Sequence, residues 1–265
     1  MPVLWAFAVG GFRRFSRYRA ATVAGAFTNT VFGLLRASVT TAVVASAGGT
    51  LGGYDTASVI TYAWLSQAVI AAVHVFAWTE LAERIRTGDI VTDLSRPVDL
   101  QWQWLAADLG RAGFVLIPRA LPPLAVGALT FGMNLPTAPG PYLFGLVSLV
   151  LAVAISFACR FLLNLAAFWL LDLRGPMTLY VIVNNLLCGL LLPVWWLPDW
   201  LRTVAAATPF PSMVQAPVDL LGGRVTTPGQ MAQTLAVQAV WLALSLLAGR
   251  WVLARATRRV VIQGG

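Results

Sequence analysis

The sequence contains no lysine, one histidine and two cysteines among its 265 residues. A phosphate-binding loop of the G-x-x-x-x-G-K-[ST] type needs a lysine, so this chain cannot carry one. Cys159 and Cys188 fall within apolar stretches, and with His74 they argue against both a disulfide framework and a cysteine-based metal site. His74 is interpreted as a packed or hydrogen-bonded residue. These shortages predict a chain with no catalytic residues, no metal and no bound cofactor of its own.

Charged residues are also scarce, at 11% of the chain against 58% hydrophobic residues and a mean hydropathy of +0.77. A soluble domain carries about 25% charged residues. Several apolar runs reach the roughly 20 residues that a membrane-spanning helix needs, and none alternates with period two. Because a bilayer accepts only helices or closed barrels, the fold class is predicted to be all-α, as a single polytopic membrane domain over residues 1–265.

The hydrophobic pattern predicts an interfacial amphipathic helix within residues 1–20 and six spans after it. Around this first helix, Leu4, Phe7 and Phe15 share one face and Arg13 and Arg17 lie opposite, as in helices that rest on anionic headgroups. The spans are predicted at 21–46, 57–79, 112–133, 142–171, 177–197 and 231–254. Residues 80–111 then form a cytoplasmic loop and residues 198–230 a long extracellular loop containing short helices.

The arginines predict the orientation. With the N-terminus inside, the cytoplasmic segments hold twelve of them, namely Arg13, Arg14, Arg17, Arg19, Arg84, Arg86, Arg96, Arg111, Arg174, Arg255, Arg258 and Arg259. The outer segments hold only Arg202 and Arg224. The positive-inside rule therefore places both termini in the cytoplasm of a multi-pass plasma-membrane protein. The same rule explains the net charge of +8 without nucleic-acid binding.

The polar insert 80–111 contains six of the ten acidic residues. A short helix is predicted from Gly88 to Arg96, ending before Pro97 because a residue that precedes proline avoids the α region. In such a helix one face is apolar and the other acidic, the apolar residues being Ile90, Val91 and Leu94 and the acidic ones Asp89 and Asp93. An exposed apolar knob of this kind would suit a groove on another protein, and an ordinary solvated loop is the equal alternative.

Polar residues inside the predicted spans are few. Every acidic residue is expected in a loop or at a span end, which argues against proton-driven carriers and against enzymes that bind diphosphate through paired aspartates. Arg119 and Arg160 are expected to snorkel or to pair with loop acids, whereas Arg36 is a candidate for meeting an anionic substrate or headgroup. Asn184 and Asn185 either contact substrate or bond across helices.

Several motifs resemble those of ABC-2 type permeases, the transmembrane subunits of ABC exporters. They lie in the expected order along the chain: Glu83-Arg84 with Thr87-Gly88-Asp89, Leu94 and Arg96-Pro97-Val98, then Phe168-Trp169, Asp172 and Gly175, then Leu192-Pro193 and Leu197-Pro198, then Thr208-Pro209-Phe210 and Gln215-Ala216-Pro217, and finally Arg258-Arg259 and Gln263-Gly264-Gly265. The resemblance extends over essentially the whole chain, and it favours docking over the solvated-loop alternative.

The resemblance implies a type V exporter-like permease of a bacterial cell membrane, with a coupling helix that inserts into a separate ATP-binding subunit. ATP and Mg²⁺ would then bind to that partner. The coupling residues would be Glu83, Arg84, Arg86, Gly88, Asp89, Ile90, Val91, Leu94, Arg96 and Pro97, with Glu83 as a polar anchor. Asp89 and Ile90 depart from the residues common in related loops.

Two permease chains pair in this family, and the C-terminal motif favours a heterodimer. The fifth span lines the centre of such a dimer, so the resemblance makes Asn184 and Asn185 candidates for the path of an amphipathic or lipid-like substrate. Arg36 is a candidate because of its position inside the first predicted span, and membrane lipid is a further partner. The alternative function is a stand-alone channel or lipid scramblase with no ATPase partner, for which the insert would have no explanation.

Overall fold

A computed structural model describes residues 2–76, 78–170 and 172–259. The described part of the chain is mainly helical and contains one small β-hairpin. The elements are α1 Pro2–Ser16, α2 Arg19–Ser46, β1 Thr50–Leu51, β2 Tyr54–Asp55, α3 Thr56–Ala72, α4 Glu80–Thr87, α5 Ile90–Leu94, α6 Leu100–Phe131, α7 Gly140–Leu165, α8 Arg174–Leu187, α9 Asp199–Ala206, α10 Gln215–Leu221 and α11 Pro228–Ala256, with 3₁₀ turns at Ala166–Phe168, Val194–Trp196, Phe210–Ser212 and Thr257–Arg259.

Four helices in the described residues are long and apolar enough to cross a membrane: α2, α6, α11, and α7 together with its 3₁₀ extension. They correspond to the first, third, sixth and fourth predicted spans. Large apolar side chains on them point outward, among them Phe27, Leu129, Leu247 and Trp251. An exterior of this kind needs an apolar solvent, so the structure agrees with a multi-pass membrane protein.

The second and fifth predicted spans are not continuous helices of about 20 residues. Helix α3 has 17 residues and ends at Ala72, and α8 has 14 and ends at Leu187. Gly189, with a φ of 89°, and then Pro193 prevent α8 from continuing. The six-span arrangement therefore stays a prediction.

Side chains from other helices satisfy the backbone after α3. Ser156 Oγ donates to the carbonyl oxygen of His74 at 2.7 Å, and Asn184 Nδ2 donates to that of Val75 at 3.0 Å. A guanidinium nitrogen of Arg111 donates to the carbonyl oxygen of Ala72 at 2.8 Å. Because a broken helix leaves carbonyls without intrahelical partners, these bonds are what make a non-helical segment tolerable among apolar helices.

Helix α6 begins at Leu100, twelve residues before the predicted third span, so the polar insert ends earlier than expected. The side chain of Asp99 accepts a hydrogen bond from the backbone N–H of Trp102 and caps the helix. Buried Leu105 then anchors its first turns in the core. Pro118, Pro122 and Pro123 lie inside this helix, as the sequence predicts.

Helix α1 packs directly on α6. Gly11 faces the backbone of Ala107 and Gly110 faces that of Ala8, and a Cβ at either glycine would clash with the facing carbonyl. This close approach is possible only because both residues lack a side chain. The predicted interfacial helix is therefore attached to the bundle through close backbone packing.

The short helices predicted in residues 198–230 are present as α9, a 3₁₀ turn and α10. The turn before α3 is a two-stranded antiparallel hairpin in which Thr50 pairs with Asp55. Gly52 and Gly53 have φ values of 56° and 76°, as a tight hairpin turn requires.

Candidate functional site

The polar insert is a helical hairpin. Helix α4 ends at Thr87, the next residue Gly88 has a φ of 85° in the left-handed region, and α5 starts at Ile90. The predicted short helix exists but has only five residues, Ile90–Leu94. Gly88 is therefore the hinge that sets the angle between the two helices.

An ion pair fastens the two helices together. Arg84 Nε lies 2.6 Å from Asp93 Oδ2, and a guanidinium nitrogen of Arg96 lies 3.6 Å from Asp93 Oδ1. The side chain of Asp93 is only 3% exposed, so it does not share an exposed acidic face with Asp89. The hydrogen bond to Asp93 raises the pKa of Arg84 above its ordinary value. This carboxylate holds the hairpin together from inside.

The prediction that the apolar residues of α5 form an exposed knob is wrong for Ile90 and Leu94. Ile90 is 2% exposed and packs in one cluster with Leu81, Leu100 and Phe157, and Leu94 packs against the same cluster. Val91 alone of the three predicted knob residues is exposed, at 38%. The apolar face of α5 turns to the core because burial there removes it from water without any partner.

Asn164 of α7 ties the start of α4 to the bundle. Its Oδ1 accepts the backbone N–H of Ala82 at 2.9 Å, and its Nδ2 donates to the carbonyl oxygen of Trp78 at 2.8 Å. The side chain is fully buried. It satisfies an N–H of the first turn of α4 that has no partner within the helix, so it caps that helix from a distance of 82 residues along the chain. No local sequence pattern indicated this contact.

The outward surface of the hairpin is mixed in charge. It is formed by the predicted residues Glu83, Arg86, Gly88, Asp89, Val91, Arg96 and Pro97 together with Thr87, Thr92 and Ser95. Arg86 lies 3.8 Å from Glu83 in an exposed pair. Of the ten predicted coupling residues, seven are therefore exposed, Ile90 and Leu94 face the core, and Arg84 is half-buried in its pair with Asp93.

A buried charge cluster lies between α6 and α7. Asp108 of α6 accepts hydrogen bonds from Arg111 Nε at 2.7 Å and from a guanidinium nitrogen of Arg160 of α7 at 2.8 Å. Arg160 pairs with an acid, which confirms one of its two predicted alternatives. Asp108 lies within a long helix, which corrects the expectation that every acid lies in a loop or at a span end. Arg119 donates instead to the carbonyl oxygen of Ala21.

The three candidate path residues have separate surroundings. A guanidinium nitrogen of Arg36 on α2 donates to Ser66 Oγ on α3 at 3.1 Å, and this side chain is half-buried. Asn184 is fully buried, and its Nδ2 donates to the carbonyl oxygen of Val75. It therefore bonds across elements within the subunit. Asn185 is half-buried, and its Oδ1 has no hydrogen-bond partner among the described residues.

A second polar cluster surrounds Asp219, in the predicted extracellular loop. Asp219 of α10 accepts hydrogen bonds from Tyr54, Gln215 and Trp195, the indole Nε1 of Trp195 lying 2.9 Å away. The guanidinium of Arg224 lies 4.3 Å from the ring centroid of Tyr54. Burial raises the pKa of Asp219, and the hydrogen bonds counteract that effect. The cluster joins strand β2, the 3₁₀ turn Val194–Trp196 and α10. No sequence motif indicated it.

A substitution at Gly88 tests whether this residue sets the angle between α4 and α5. Replacing Gly88 with alanine is expected to destabilise the hairpin by about 1–2 kcal/mol, because an L-residue resists the left-handed conformation. No atom lies within 4 Å of a Cβ placed there, so the conformation is the only source of the loss. Gly175 of α8 has equal space and no positive φ, so Gly175→Ala serves as the control. Hydrogen exchange of residues 80–97 should accelerate in Gly88→Ala alone; equal exchange in both variants would contradict a hinge role.

Comparison with known families identifies the chain. The sequence matches the family described as ABC-2 family transporter protein over residues 33–264. Comparisons with the curated proteins and with the solved structures gave no match. Members of this family are transport subunits rather than enzymes, and they generally work with an ATP-binding subunit. Because the match covers most of the sequence, this chain belongs to the ABC-2 family of transporter proteins.

Proposed function

We propose that this chain is the transmembrane permease of an ATP-driven exporter and that its cytoplasmic hairpin docks on a separate ATP-binding subunit. ATP and Mg²⁺ would bind to that subunit, since this chain has no lysine for a phosphate-binding loop. The proposed location is a bacterial plasma membrane, with both termini in the cytoplasm as the arginine distribution predicts.

The observation that carries the proposal is the construction of the hairpin. It is fixed from inside by the Arg84–Asp93 pair and by buried Ile90, and it exposes a continuous mixed-charge surface around Val91. A loop that only connected two helices would need neither a buried ion pair nor a distant capping residue. A rigid element that presents one exposed aliphatic side chain among charged groups suits a specific protein interface.

The contacts of the hairpin indicate how movement would reach the membrane. Asn164 joins α4 to α7, and Arg14 joins α1 to α4 through Glu80 at 2.7 Å. When ATP binding closes the partner subunits, the hairpin would move with them and carry α7 and α1. In this mechanism the helix bundles open outward after closure, which gives export its direction.

A second permease chain would complete the substrate path. Helix α8 exposes Leu179, Ile182 and Leu186, an apolar stripe that a second subunit would cover. We favour a heterodimer on the resemblance of the C-terminal motif, whose Gln263-Gly264-Gly265 lies outside the described residues. Arg36 and Asn185, both half-buried, remain the proposed path residues for an amphipathic or lipid-like compound, and Asn184 is assigned to packing.

Co-purification and flux test the function. The chain, co-expressed with its tagged neighbouring ATPase, is expected to purify as a complex and to move a fluorescent amphiphile across vesicle membranes only when ATP is present. Equal flux without ATP would instead support a channel or scramblase. Failure of the ATPase to associate would refute the docking proposal.

A surface substitution tests the hairpin itself. Val91→Asp is expected to weaken association with the ATPase about tenfold, because an unpaired carboxylate buried in an interface costs about 1–3 kcal/mol. Val204→Asp on α9 makes the same change at a residue of similar exposure on the outer side, and it should leave association unchanged. The measurement is the affinity of the purified permease for the ATPase; an unchanged affinity in Val91→Asp would remove Val91 from the interface.

A further inference from the structure

A cavity of about 340 Å³ lies on the cytoplasmic side, between α1, the first half of α6 and the hairpin. Phe7 and Phe15 of α1 and Trp78 form part of its apolar wall. Cavities of this size, mostly apolar with a few converging polar groups, are typical of small-ligand sites. Elsewhere on α1, Trp5 and Phe12 are exposed, and these apolar anchors place the cavity beside the membrane surface.

The charges that line the cavity have a small positive excess. Four arginines contribute, Arg14, Arg84, Arg96 and Arg111, against the three carboxylates Glu80, Asp93 and Asp108. Asp93 is shared by two of these arginines, and Asp108 is shared by Arg111 and Arg160. An anion that entered the cavity would therefore meet guanidinium groups whose charge the protein does not fully neutralise.

Two buried polar atoms beside the cavity have no hydrogen-bond partner in the described part of the chain. They are the acceptor Gln103 Oε1 and the donor Trp104 Nε1, on adjacent residues of α6 that both line the cavity. Both atoms are shielded from solvent, and Gln103 as a whole is 6% exposed. Buried polar atoms are normally paired, and a rotation of the two side chains toward the cavity would let a ligand supply the missing donor and acceptor.

We propose that this cavity binds the headgroup of a membrane phospholipid whose headgroup carries a hydrogen-bond donor. The phosphodiester would accept from the arginines and from Trp104 Nε1, and an ammonium or hydroxyl group would donate to Gln103 Oε1. Phosphatidylethanolamine and phosphatidylglycerol meet both requirements. Phosphatidylcholine has no donor in its headgroup and does not. The site does not depend on docking of an ATPase, so it stands or fails separately from the proposed function.

Thermal unfolding of the whole purified chain in detergent tests the site. A ligand that binds only the folded state raises the unfolding temperature. Short-chain phosphatidylethanolamine is expected to bind more tightly than phosphatidylcholine of the same chain length. Gln103→Leu should lower the affinity for phosphatidylethanolamine roughly fivefold, the equivalent of one hydrogen bond, and should remove most of the preference over phosphatidylcholine. The variant should fold, since the lost oxygen has no protein partner.

Two controls make the test decisive. Gln233→Leu makes the same change at an exposed position of α11 and should leave the lipid preference intact. Free phosphoethanolamine separates a lipid from a soluble phosphate ester: stabilisation as strong as that by the lipid would overturn the assignment to a lipid. Equal affinity for phosphatidylethanolamine and phosphatidylcholine, or an unchanged preference in Gln103→Leu, would overturn the site.

Discussion

Replacing Asp108 with asparagine is expected to lower the free energy of unfolding by about 3–5 kcal/mol, the cost of removing one partner from a buried ion pair. Arg160 is 1% exposed and Arg111 is 9% exposed at their side chains, so water would replace little of the lost pairing when the carboxylate is gone. Asparagine keeps the size of aspartate and one oxygen acceptor. The loss therefore reports the charge rather than a cavity. Thermal unfolding of the purified protein in detergent is the measurement.

An exposed pair of the same type provides the control. Arg202 lies 2.6 Å from Asp199, at side-chain exposures of 41% and 92%. Surface pairs contribute at most about 1 kcal/mol, so Asp199→Asn should shift the unfolding temperature little. Since both pairs are short, the comparison isolates burial. Similar shifts in the two variants would show that the Asp108 cluster is solvated in the folded protein.

A double variant tests whether the charges act together. Arg160→Met in the Asp108→Asn background removes one of the two cations left without a partner, and it should recover part of the lost stability. Independent, additive losses would contradict a cluster in which one carboxylate neutralises two guanidinium groups.

The sequence predicted the long helices because their signal is local. Length and apolar composition alone identify α2, α6, α7 and α11. The predictions fail where side chains distant in sequence determine where a helix ends. Helix α3 ends at Ala72, where Ser156 and Asn184 pair with the carbonyls that follow it, and no pattern within residues 57–79 shows those partners.

In the helical hairpin of residues 80–97, too, local signals predicted the helix and contacts distant in sequence were missed. Gly88 and Pro97 predicted a short helix between them, and a helix is present. The exposure of Ile90 and Leu94 was predicted wrongly, because an apolar helix face fits a partner groove and the protein's own core equally well. Arg160 was expected to snorkel or to pair with an acid, since an unpaired arginine among apolar helices costs roughly 2.5–3.5 kcal/mol on insertion scales. Its partner, 52 residues away, was visible only in the fold.

Asn164→Leu is expected to separate the stability of the hairpin from its role in transport. The variant removes the partners of the Ala82 N–H and the Trp78 carbonyl, and each unpaired buried group costs about 1–3 kcal/mol. Asn29→Leu is the matched control, since Asn29 makes only long bonds of 3.5 Å and 3.4 Å to backbone oxygens. Thermal unfolding should show a large loss in Asn164→Leu and a small one in Asn29→Leu.

The functional consequence of Asn164→Leu follows from its position between α4 and α7. At a temperature where the variant is folded, the ATPase should still bind, because the exposed surface around Val91 is intact. ATP hydrolysis should then continue while flux per complex falls, since the hairpin would move without carrying α7. Normal flux per folded complex would show that the movement passes by another contact. The Arg14–Glu80 pair to α1 is one such contact, and Glu80→Gln would test it directly.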